Sequence, residues 1–149
     1  MKATVKTYLT ELKSRHQITD EQREQYAQKA EDVYRHNGYI AQYLGLTAHD
    51  ICQKLVDLLP QGYAYHSVIN QGLYNVLSMT KPQDLQEAEI AEFRAMAVAE
   101  VEQRAAAKIQ AELDDFIAEE EAQAIEAAQQ KERDRIVQLK ADLLAEMAK

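Results

Sequence analysis

His49 and Cys52 lie three residues apart, a spacing that would set an imidazole and a thiol on one face of a helix, where both can ligate zinc. A structural zinc site needs four ligands. No second His/Cys pair follows at a matching distance, and Cys52 is the only cysteine, so no metal is expected. None of the four histidines stands three residues after a glutamate, which removes the Glu-x-x-His arrangement of di-iron bundles. The four glycines are dispersed, so there is neither a phosphate-cradling loop nor a nucleophile elbow. Tyr63, Tyr65 and Tyr74 carry faces on which bases could stack, although tyrosines at element edges usually pack with their hydroxyls wet. The chain is therefore expected to be no enzyme, with no cofactor and no small-molecule substrate.

The segment Tyr39 to Leu55, YIAQYLGLTAHDICQKL, carries the strongest local pattern. Ala41 is a small residue on a would-be first helix, Gly45 a turn, and Ile40, Leu44, Leu46, Ile51 and Leu55 are apolar at core spacing. Over residues 39–59 this resembles a helix-turn-helix. The resemblance implies that Thr47, Ala48, His49, Gln53 and Lys54 face a DNA major groove. The would-be recognition helix holds one lysine, no arginine, and the acids Asp50 and Asp57. Phosphate neutralisation would thus fall to Lys2, Lys6, Lys13, Arg15, Arg23, Lys29 and Arg35 on preceding helices.

The elements that must position these residues divide near residue 80. All glycines, prolines and tyrosines lie in the first 82 residues. There the pattern predicts a five-helix module over residues 1–80. Val5, Tyr8, Leu9 and Leu12 mark a first helix over 3–16. Thr19 with Gln22 is a capping-box pattern opening a second, which buries Tyr26, Ala30, Val33 and Tyr34 and stops at Asn37-Gly38. His16 and His36 fall in last turns, where the helix dipole favours a cation. A short helix over 39–44 follows. The next, capped by Thr47 with Leu46 and Ile51 as a staple, ends at Pro60-Gln61-Gly62. A fifth helix over 64–78 would bury Val68, Ile69, Leu73, Val76 and Leu77. The fold class expected is all-α.

From Gln83 to Lys149 there is no glycine or proline in 67 residues, and Ala, Glu, Gln and Leu dominate. Thr80 and Gln83 form another capping-box pattern, with Pro82 near the first turn. One long helix over 81–149 is expected, with a coiled-coil-like stripe through Ile90, Phe93, Ala97, Val98, Val101, Ala105, Ile109, Leu113 and Phe116. Ile90 and Val101 stand eleven apart, as do Ile125, Ile136 and Met147, the period of a straight or slightly right-handed assembly. Such a stripe outruns what the module can cover. Ile90, Val101, Ile109 and Phe116 are accordingly expected to mediate homo-oligomerisation.

The formal charge of −8 is unevenly spread. Residues 84–121 hold twelve acids against three bases, whereas 122–149 hold five of each. Asp114, Asp115, Glu119, Glu120 and Glu121 form the densest cluster, a candidate surface for a basic protein partner. The N-terminus lacks the apolar core of a signal peptide, and no apolar run nears the ~20 residues of a membrane helix. A soluble cytoplasmic protein, or one of host cytoplasm or virion if phage-encoded, is the expectation. The leading functional expectation is a non-enzymatic, oligomeric DNA-associated protein, a small regulator or a phage packaging-type subunit. The alternatives are an acidic interaction or inhibitor protein and a structural component of a phage-like particle.

Overall fold

A computed structural model describes residues 2–148. It is mostly helical, but it holds a three-stranded antiparallel sheet, which overturns the all-α expectation. Helices α1 (Lys2–Arg15) and α2 (Asp20–Val33) come first, and a π-helical turn over Tyr34–Gly38 leads into strand β1 (Ile40–Gly45). Helix α3 (Ala48–Leu58) and a 3-10 turn precede strands β2 (Ala64–Asn70) and β3 (Asn75–Thr80). Helix α4 (Gln83–Met147) completes the chain. By contact the molecule divides into two compact units. One is Ile18–Gln103; the other joins the residues up to Gln17 to those from Arg104 onward.

Within Ile18–Gln103, two helix starts follow local chemistry. Thr19 and Thr47 each cap a helix with both halves of a capping box, through Gln22 and Asp50 respectively. For Asp50 the bonds are Thr47 N–H donating to Oδ2 at 2.8 Å and Asp50 N–H donating to Thr47 Oγ1 at 3.2 Å. The Thr47 N–H bond to the carboxylate, and then the Thr47 hydroxyl beside it, hold the Asp50 carboxyl below its ordinary pKa. Ile51 turns into the core, while Leu46, the expected other half of a staple, stays exposed.

The expected helices over 39–44 and 64–78 are strands. β3 lies in the middle of the sheet, in the order β1-β3-β2, with Ala41 opposite Met79 and Tyr43 opposite Leu77. Side chains alternate across a strand. Leu77 and Met79 therefore share one face, and there they form a core with Ile51 and Leu58 of α3. Tyr43, Leu55 and Tyr63 pack around it. Val68, Ile69, Val76 and Leu77 fit a helical stripe and a hairpin equally well, and cross-strand pairing decides for the hairpin. Its loop is built for the purpose. Gly72 takes φ +83°, its N–H donates to Asn70 Oδ1 at 2.8 Å, and Gln71 N–H donates to the Tyr74 carbonyl at 2.8 Å.

The helix-turn-helix is overturned with them, because its first helix is β1. Gly45 ends that strand rather than turning between helices. A Cβ there would lie 2.8 Å from Ile51 Cδ1, so glycine lets α3 approach the sheet. Thr80, expected to cap α4, is instead the last residue of β3, paired with Ile40 and Ala64.

In the second unit Leu12 is fully buried, and the Tyr8 ring stacks on Phe116 of α4 with centroids 4.1 Å apart. Arg15 and His16 both reach Glu112, at 3.3 Å and 2.8 Å.

Candidate interaction surfaces

Arg23 of α2 and Arg94 of α4 are engaged by carboxylates across the seam between these helices. Arg94 donates to Glu24 and to Glu31, each at 2.7 Å, and Glu31 also accepts from Arg35 at 2.7 Å. Arg35 and then Arg94 hold the Glu31 carboxyl below its ordinary pKa. Arg23 reaches Glu102 at 2.8 Å and Asp20 at 2.6 Å. Arginines with two carboxylates apiece, and Glu31 shared between Arg94 and Arg35, make a charge-assisted network rather than isolated surface pairs.

At one end of this seam Glu89 Oε2 accepts from Tyr34 Oη at 2.5 Å and from Lys81 Nζ at 2.6 Å. Lys81 also lies 5.6 Å from the Tyr34 ring centroid. Burial, reinforced by the Glu89 hydrogen bond, pushes the Tyr34 phenol above its ordinary pKa, while Lys81 and then Tyr34 lower Glu89. A phenol held protonated beside a carboxylate is a clamp and a poor base or nucleophile. The π-helical turn brings Gly38 over the same ring, where a Cβ would lie 2.4 Å from Tyr34 Cδ2.

Above the seam, α2 and the Phe93–Gln103 stretch of α4 enclose an open groove of about 710 Å³. Tyr26, Val33, Phe93 and Met96 line it, Ala30 and Ala97 keep it open, and Lys29 and Glu100 stand at its margins. Val33 is 68% exposed and Met96 62%. Nothing in the sequence signalled this groove, because it exists only once two helices 60 residues apart are paired.

Three of the four polar residues expected to read DNA make contacts within the molecule. Thr47 spends its hydroxyl on the α3 cap, and Gln53 donates to Asp57 at 3.1 Å. Lys54 Nζ sits 4.6 Å from the Tyr43 ring centroid, and His49 is exposed on the first turn of α3. Of the preceding cations, Arg15, Arg23 and Arg35 are ion-paired. Among the described residues no group of His, Cys, Asp and Glu could hold a metal ion. No described helix is long and apolar enough to cross a membrane.

The four residues expected to mediate assembly, Ile90, Val101, Ile109 and Phe116, are half-buried, Phe116 by Tyr8. Further along α4 the picture changes, for every described residue from Glu121 onward is exposed. The stretch Ile136, Val137, Leu139, Leu143, Leu144 and Met147 runs from 45% exposed at Ile136 to 83% at Met147. In the acidic stretch, Asp114 accepts from Gln110 at 2.7 Å. Asp115, Glu119, Glu120 and Glu121 have no cation within ion-pair distance among the described residues.

No family model, curated protein or solved structure matches this chain.

Proposed function

We propose that this chain is a non-enzymatic, self-assembling interaction protein, with the distal part of α4 as its assembly element. The observation that carries this reading is the run of large apolar side chains from Ile136 to Met147, all exposed on a stretch of α4 that no described element covers. An amphipathic helix gains most of its stability from burying its apolar face, and a partner surface is where that burial is available. This reading stands ahead of DNA association for two reasons. The first helix of the motif that implied DNA is a strand, and the nearby arginines are committed to carboxylates.

Sedimentation velocity at about 50 µM tests it. Wild type sediments as an oligomer, and Ile136→Asp/Leu143→Asp sediments as a monomer with unchanged far-UV circular dichroism. A monomeric wild type overturns the reading.

A second reading concerns the acidic stretch. Arg15, Arg23, Lys81 and Arg94 pair with Glu112, Glu102, Glu89, Glu24 and Glu31, whereas Asp115 and Glu119–Glu121 keep an uncompensated negative field. That field suits recruitment of a basic protein to the assembled particle.

A further inference from the structure

We propose that the groove between α2 and the Phe93–Gln103 stretch of α4 is the seat for the distal α4 segment, Ile136–Met147, of a second copy of this chain. The inference rests on the self-assembly reading above and names the surface that receives the assembly element.

Three observations fit occupant to groove. The first is length. Phe93 to Gln103 spans about 15 Å of helix, and Ile136 to Met147 about 16 Å, at about 1.5 Å per residue. The second is shape and polarity. Val33, Phe93 and Met96 stand exposed around small residues, Ala30 and Ala97, which leave room for a helix to lie between α2 and α4. A third helix there completes a three-helix packing, and Ile136, Leu139, Leu143 and Met147 supply knobs at spacings of three and four.

The third observation is charge. At about 100° per residue, Glu132 and Glu146 flank one side of the Ile136–Leu143–Met147 line, with Arg135 behind them paired to Glu132 at 3.5 Å, and Arg133 and Lys140 flank the other. The groove carries Lys29 on its α2 margin and Glu100 on its α4 margin. One of the two directions in which the segment can lie sets the glutamate flank by Lys29 and the basic flank by Glu100. The nearest competitor is weaker on the same ground. Face-to-face antiparallel pairing of two distal segments brings like flanks together, Glu132 and Glu146 against their own copies. Parallel pairing avoids that but leaves Val33 and Met96 in water.

A mixing experiment decides. The groove variant Val33→Asp/Met96→Asp and the tail variant Ile136→Asp/Leu143→Asp each sediment as monomers at a concentration where wild type is assembled. Mixed one to one, they form a complex with one of each, since the intact tail of the first enters the intact groove of the second. A groove variant that assembles like wild type overturns the seat while leaving self-assembly standing. A mixture that stays monomeric does the same. A monomeric wild type removes self-assembly itself. Should the groove variant lose its thermal transition, Lys29→Glu replaces it. That change weakens association by about threefold to tenfold, and Glu132→Lys/Glu146→Lys in the partner copy restores it. Restoration supports the seat, and indifference to both changes overturns it.

Discussion

Replacing Gly72 by alanine separates the hairpin from a helix by the sign of its effect. Gly72 occupies the left-handed region at φ +83°, and an added Cβ would meet nothing within 4 Å. The cost is therefore backbone strain alone, about 1–2 kcal/mol for a residue with a side chain held in that region. In the interior of a helix over residues 64–78 the same change would instead stabilise the chain by about 0.8–1 kcal/mol, the difference in helix propensity. For a unit the size of Ile18–Gln103, each kcal/mol moves the thermal midpoint by about 4–8 °C. The hairpin thus predicts a fall of about 4–16 °C and the helix a rise of a few degrees. Thermal unfolding followed by circular dichroism, with urea midpoints as a second measure, resolves either. A Gly72→Ala protein that melts at or above wild type would refute the turn geometry and the sheet that depends on it.

Four other outcomes follow from the same contacts. Glu31 and Glu89 have lowered pKa values, so the folded state holds fewer protons than the unfolded chain near the ordinary glutamate value, about 4.3. Their contribution is complete above that pH and lost as pH falls through the lowered values. Glu31→Gln should therefore flatten the acid limb of a stability-versus-pH curve, and an unchanged slope would remove the seam from the account. Gly38→Ala should cost about 1–3 kcal/mol in urea unfolding, because the new Cβ overlaps the Tyr34 ring and displaces it from Glu89. Tyr8→Ala should cost about 1–3 kcal/mol through loss of the stack on Phe116, read in the melting of α1, and a neutral result would deny that packing. Glu119→Gln/Glu120→Gln/Glu121→Gln should slow capture of a basic probe such as polylysine, by surface plasmon resonance at low salt, with helix content unchanged. Capture indifferent to both the substitution and salt would reduce the cluster to a solvated face.

Helix starts were legible because their chemistry is contained within four residues. Thr19 with Gln22 and Thr47 with Asp50 can be read without knowing anything else about the chain. Strand β1 could not be read that way. Ile40 to Gly45 is held by Asn75 to Thr80, and no local rule announces a partner that distant. The β2–β3 hairpin did leave a signal in Asn70-Gln71-Gly72, a turn-forming run between two apolar stretches with β-branched residues. The helical spacing of Val68, Ile69, Leu73, Val76 and Leu77 masked it. At the surfaces, the apolar repeat of distal α4 and its acidic approach were visible as pattern. The groove was not, since it depends on Arg94 and Arg23 drawing α2 and α4 together.

The central position of β3 also orders events in time. Its hairpin with β2 closes a loop of four residues, 71–74, a step of about 1–10 µs. Joining β1 closes a loop from Gly45 to Asn75, at an entropic cost greater by about 2 kcal/mol. α3 lies inside that longer loop and packs on Leu77 and Met79, so loop length alone predicts that β1, whose Tyr43 joins the same core, settles last. Reversed, the same hierarchy makes β1 the first strand to leave. In native-state hydrogen exchange its amides should open at lower free energy than those of β3 bonded to β2. β1, which stands where a helix was expected over residues 39–44, is then the strand expected to open most readily.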